Sequence, residues 1–160
     1  MSWLTQYQAV DREAIWAALF AQFQSQLSAQ FASMGRKHVS PPQLSVADQP
    51  AFFQVAAREK RWTKPPGTAT QLQLEGFLIV YVFDESPAED IGQEKLLAET
   101  TLNNLLKAID AALEPDNLAT GKFTIGGLAT HCWIEGNADL DPAIFGPQAA
   151  AILPIHILVP

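Results

Sequence analysis

The stretch Gly126-Gly-Leu-Ala-Thr-His-Cys-Trp-Ile-Glu-Gly136, followed after an acidic Gly/Pro loop by Gln148-Ala-Ala-Ala-Ile-Leu-Pro-Ile-His-Ile-Leu-Val159, decides the fold class. In the first segment Leu128, Thr130, Cys132 and Ile134 alternate with Ala129, His131, Trp133 and Glu135. A period of two places successive side chains on opposite faces of a strand. The second segment is apolar along most of its length. Its Pro154 has no N–H to give a ladder, so an edge or bulged position is expected there. Two strands around a polar loop close an antiparallel sheet.

Upstream, residues 71–83 carry Leu72, Leu74, Leu78, Val80 and Val82 on one face and Phe77, Ile79 and Tyr81 on the other. Half of this strand is therefore expected to be covered on both faces, by the fold or by an assembly. Ala51-Phe52-Phe53-Gln54-Val55 predicts a second strand, and Arg36-Lys37-His38-Val39 a short third one. The segment from Arg58 to Thr70, with Pro65-Pro66-Gly67, reads as a long basic loop joining two strands. Gly121 to Ile125 is expected to begin another strand, stopped by a turn or bulge at Gly126-Gly127.

Two helices frame these strands. Asp11 can cap a start, and Ile15, Leu19, Phe23, Leu27 and Phe31 recur every fourth residue, predicting a helix over 12–33 that ends before Gly35. Ala98, Leu102, Leu105, Leu106, Ile109 and Leu113 predict a second over 89–113, with Pro115 beyond it. The expected fold is α+β: a mainly antiparallel sheet of four to five strands with two helices packed on it, in the order α-β-β-β-α-β-β. Residues 1–10, with Trp3 and Tyr7, are expected as an extension, and 11–160 as a single domain.

At 160 residues and 48% hydrophobic content, the chain can bury a substantial core. One cysteine gives no disulfide framework and no zinc ligand set, and Cys132 in its strand reads as a buried small hydrophobe. The N-terminus lacks a basic segment followed by an apolar core, so no signal peptide is expected. The net charge of −7 divides unevenly. Residues 1–64 hold seven Lys/Arg and four Asp/Glu (+3), and residues 65–160 hold three and thirteen (−10). So acidic a chain is poorly suited to holding nucleic acid.

Chemistry-bearing residues are sparse. His131 and His156 fall on the two C-terminal strands, and with Glu135 they suggest a metal pair that lacks an evident third ligand. Gly121-Lys122-Phe123-Thr124 does not match a phosphate loop. The paired carboxylates lie in polar loops or at a helix start, where solvated or capping roles suffice. No catalytic, cofactor or metal site is therefore assigned, and the chain is not expected to be an enzyme; a small metal-dependent enzyme using His131 and His156 is the alternative. The best contact element is the basic segment with its aromatic anchor: Arg58, Lys60, Arg61, Trp62 and Lys64.

The order of these patterns resembles that of a known family. Arg12-Glu-Ala-Ile-Trp-Ala-Ala-Leu-Phe-Ala, Pro50-Ala-Phe-Phe-Gln-Val, the strand from Leu72 to Phe83, and Leu102-Asn-Asn-Leu-Leu-Lys-Ala-Ile-Asp-Ala-Ala-Leu are similar to elements of tail terminator proteins (tail completion, minor tail proteins) of long-tailed bacteriophages. So are Gly127-Leu-Ala-Thr-His-Cys-Trp-Ile-Glu-Gly and the closing strand, so that residues 11–159 are covered. The resemblance implies a hexameric ring on the head-proximal end of the tail tube. Such a ring ends tube polymerisation and joins the head connector. It implies as partners a second copy of the chain, the tube protein and a neck protein, with DNA sliding through the lumen unheld. Another head–tail connector or minor tail protein is the nearer alternative. A virion location, with the host cytoplasm during assembly, is expected.

Overall fold

Helix α1 (Arg12–Leu27) begins where Asp11 accepts a hydrogen bond from the Ala14 N–H at 2.9 Å. The computed structural model describes residues 9–64, 69–83, 93–143 and 147–160. The fourfold apolar spacing of α1 buries Ile15, Trp16, Leu19, Phe23 and Leu27. The helix stops short of residue 33. Phe31 is still buried, but it follows the helix, and the N–H groups of Ala32 and Ser33 turn to the carbonyl of Pro50. That contact leads into β1 (Ser33–Gly35), which lies parallel to the start of β2 (Ala51–Lys64). Sheet partners thus replace helical ones four residues after Ser28.

Strand β2 pairs antiparallel with β3 (Ala69–Phe83) along its whole length. The segment from Arg58 to Lys64 is therefore a strand, not the loop expected. Together with the start of β3 it forms a hairpin arm. A register shift between Ala56 and Arg58 separates the apolar part of β2 from the arm. Helix α2 (Gln93–Ala112) follows, burying Ala98, Leu102, Leu105 and Ile109. The expected helical residues 89–92 lie outside the described residues.

The C-terminal third adds β4 (His131–Ile134), β5 (Asp139–Asp141) and β6 (Gln148–Leu158). Among the described residues one sheet of six strands forms, in the order β1-β2-β3-β6-β4, with β5 also pairing with β6. Only β1–β2 is parallel, so the sheet is mainly antiparallel and the class is α+β.

Three local expectations are corrected. Arg36 to Val39 is not a strand: Arg36 reaches back to Glu13 of α1, and the His38 imidazole packs on the rings of Phe53 and Tyr81. Gly121 to Ile125 folds as a turn structure with a single bridge between Asn117 and Lys122, and the turn at Gly126-Gly127 forms with positive φ at both glycines. Pro154 is on an interior strand, bonded to β3 on one side and to β4 and β5 on the other. The Leu158 carbonyl accepts from Thr130 on the β4 side, while the Val159 N–H donates to Leu72 on the β3 side. Counting back by twos from Leu158, the Pro154 nitrogen faces β4 and β5, at the gap between them, where no ladder bond is lost.

Both helices pack on one face of the sheet. There Phe52 touches Phe23 and Phe31 at ring distances of 5.1 and 5.5 Å, above Leu74, Leu78, Ile155 and Ile157. Each such side chain, fully buried, contributes about 1.5–3 kcal/mol. On the opposite face a smaller cluster, Ala51, Phe53, Ile79 and Tyr81, is covered by Val39 and Leu44. Half of β3 is thus covered on both sides, as its continuous apolar run requires. Among the described residues the other half leaves the second face open.

Candidate interaction surface

The open face is built by alternation. Opposite residues in a ladder share a face, and Arg58, Lys60 and Trp62 of β2 stand opposite Glu75, Gln73 and Gln71 of β3. Glu59 and Arg61 stand opposite Leu74 and Leu72, which belong to the helix-covered core, so they point to the other side. The five candidate residues therefore do not form one cluster. Arg58, Lys60 and Trp62 share the open face. Arg61 lies on the helix side, 3.9 Å from the Glu59 carboxylate that also holds Arg12. Lys64 is opposite Ala69 at the end of the arm.

On the open face the polar groups are tied together. The guanidinium of Arg58 pairs with Glu75 and holds its carboxyl below the usual carboxylate range. Gln73 Nε2 donates to His156 Nδ1 at 2.8 Å, and the other ring nitrogen of His156 is 3.0 Å from the Glu135 carbonyl. These bonds assign the proton of a neutral His156 to Nε2. Lys60 Nζ lies 5.8 Å from the centre of the half-buried Trp62 ring, within cation–π range.

Next to this network runs a column of rings. Trp133 stacks on His131 at 4.8 Å and on His156 at 5.5 Å, and its Nε1–H donates to Glu135 at 3.0 Å. Burial, with the Lys122 charge adding to it, holds the His131 pKa below the ordinary imidazole value. The two histidines are in register with different partners, His131 with Leu158 and His156 with Trp133. They stack on an indole and do not converge on a common point. Both nitrogens of His156 are engaged, and Glu135 offers its carbonyl to His156 and its carboxylate to Trp133. Among the described residues no three His, Cys, Asp or Glu side chains group as metal ligands. Cys132 points into the core, where burial pushes its thiol pKa well up, away from nucleophilic use.

What this face can do is make contact. It presents an indole with a cationic neighbour, a second indole between polar partners, and Phe77, which is 37% exposed. Of these, sequence reasoning identified Trp62 but missed Trp133, Phe77, Gln73 and Glu75. The alternation of β3 and β4 was the available signal, because it puts them on the face away from the leucines. No described helix is long and apolar enough to cross a membrane. The chain matches no protein-family model, and no curated protein matches it.

Proposed function

We propose that this chain is a ring-forming structural subunit of a phage tail. It caps the head-proximal end of the tail tube, ends polymerisation of the tube, and gives the head connector its joining surface. One observation carries this reading: among the described residues the sheet is covered by helices on one face only, while the hairpin arm and β4 leave a broad, aromatic-bearing surface on the other. The polar groups of that surface bond one another rather than converging on a reacting centre. The order of elements supports the same reading, since it follows the resemblance noted above from α1 to β6.

A ring needs a head-to-tail contact in which two different patches of one subunit meet. The arm is one such patch. Its partners under this proposal are a second copy of the chain, the tube protein and a neck protein. With a net charge of −7, genomic DNA passes the assembled ring by repulsion rather than binding. The test is mass measurement of the purified chain, alone and mixed with tube protein, with tail length in assembled particles as the second readout. A closed oligomer, expected as a hexamer, and over-long tails in its absence support the reading. A chain that stays monomeric in both settings, with tails of normal length when it is missing, overturns it.

A further inference from the structure

Both helices lie on one face of the sheet, and a hollow of about 730 Å³ opens between them at the C-terminal end of α2. Its floor is apolar, made by Phe123 and Ile125 of the turn structure that follows α2, both buried. Its sides carry small side chains, Ala18 and Ala21 of α1 and Ala111 of α2, so a large group has room to enter. Among the described residues that line it, the ionisable ones are Glu114 and Asp116, both exposed at the rim. Asp116 is fixed there by the Thr124 and Gly126 N–H groups at 2.7 and 2.9 Å. Two carboxylates above an apolar floor suit a cation carried beside a large apolar ring.

The outer surface of α1 points the same way. From residue 14 to residue 35 the chain has no Asp, Glu, Lys, Arg or His. Yet Ala17, Ala21, Gln24 and Ser25 are exposed. A helix face turned to water ordinarily carries charge, whereas the centre of an interface is depleted of it. The complementary group is on the arm. Lys60 Nζ lies 5.8 Å from the Trp62 ring, and both residues stand on the side of the sheet away from the helices. The pair therefore points away from the hollow of its own molecule. A second copy brings the two together, and a head-to-tail ring demands two such different patches on one chain.

We propose that Lys60 and Trp62 of one copy seat in the hollow between α1 and α2 of the next, with the indole over Phe123 and Ile125 and the ammonium at Glu114 and Asp116. This contact rests on the ring-forming reading above and supplies its second patch. Each copy gives its arm to one neighbour and its hollow to the other.

A charge swap on the full-length chain tests this, read as oligomer mass against concentration. Lys60→Glu and Glu114→Lys each set like charges against one another at every contact. Each should raise the concentration for half-assembly about tenfold or more. Both positions are exposed, so the fold is expected to persist, with unfolding curves as the control. Mixed in equal amounts, the two variants should assemble again. In an alternating ring one contact is then the natural Lys60–Glu114 pair and the next is the same pair reversed. Ala21→Trp, which fills the hollow from an exposed helix position, should weaken association with no change of charge. A wild-type chain that forms no oligomer, alone or with tube protein, overturns the ring-forming reading and this contact with it. A wild-type oligomer that Glu114→Lys and Ala21→Trp leave unchanged overturns the contact alone. So does a mixture of the two charge-reversed chains that stays apart.

Discussion

Asp116 shows how much one side chain can organise. Its carboxylate accepts from the Thr124 N–H and hydroxyl at 2.7 and 2.8 Å and from the Gly126 N–H at 2.9 Å. These bonds bracket Ile125, whose φ of +52° is costly for a β-branched residue but whose side chain is buried in the core. Burial works against the charge of Asp116, yet the bonds from Gly126 and Thr124 outweigh it and lower its pKa. A group with a depressed folded pKa contributes stability that is complete above its unfolded pKa and is lost as pH falls through the folded one. Asp116→Ala removes three accepted hydrogen bonds at an exposed, solvent-screened carboxylate, so it should lower stability by about 1 kcal/mol at neutral pH. In urea unfolding the gap between wild type and variant should close as pH drops through the acid range. A gap that does not change with pH would mean that the anion is not what holds the turn. None of this was legible beforehand, because Asp116 and Gly126 are ten residues apart and only the folded turn brings them together. His131 and His156 were correctly placed on neighbouring strands, but the intervening indole of Trp133, which gives both a stacking partner, was not anticipated.

At the scale of elements, the alternating strands and the two helices were legible because each carries its period plainly. The hairpin arm was not, and the reason is the bulge. Phe53 and Val55 point to the second face, and so do Arg58, Lys60 and Trp62, although the two sets are out of phase in sequence. A strand that changes phase in its middle looks like the end of a strand, and Pro65-Pro66-Gly67 beyond it completes the impression of a loop. Opposite the bulge lies Gly76. A Cβ there would meet the Val55 carbonyl oxygen at 2.4 Å and the Trp16 ring at 2.9 Å. Gly76→Ala should thus force β2, α1 or both to shift, costing about 1–3 kcal/mol. Thermal unfolding measures the cost, and a variant as stable as wild type would show that the junction of arm and helix is looser than its geometry. Strand β5 escaped notice for a different reason. Asp139-Leu140-Asp141 is too short and too acidic to carry a strand signal, and it forms only because β6 offers an edge beyond Pro154.

For the whole molecule, the open face and the segregation of charge make one further prediction together. The basic arm belongs to the first 64 residues, which balance at +3, while the remainder balances at −10. An identical neighbour therefore always carries acidic surface for the arm to find. The structure divides the labour within the arm. Arg58 is committed to Glu75, so its replacement would disturb the sheet as well as any contact. Lys60 and Trp62 form a surface pair whose loss should leave the core intact, because Trp62 is only half-buried and Lys60 is exposed. Trp62→Ala, if the indole anchors in a neighbour, should weaken association by about 2 kcal/mol, near thirtyfold in the dissociation constant. Lys60→Glu should weaken it more at low salt than at high salt, because exposed charges more than a Debye length apart are screened. Wild-type association should itself loosen as salt rises, so the difference between the two chains should shrink. Oligomer mass measured at two ionic strengths for wild type and both variants decides the matter. If all three give the same mass and the same salt response while their unfolding curves coincide, the arm is solvated surface and the ring, if it forms, closes through another face.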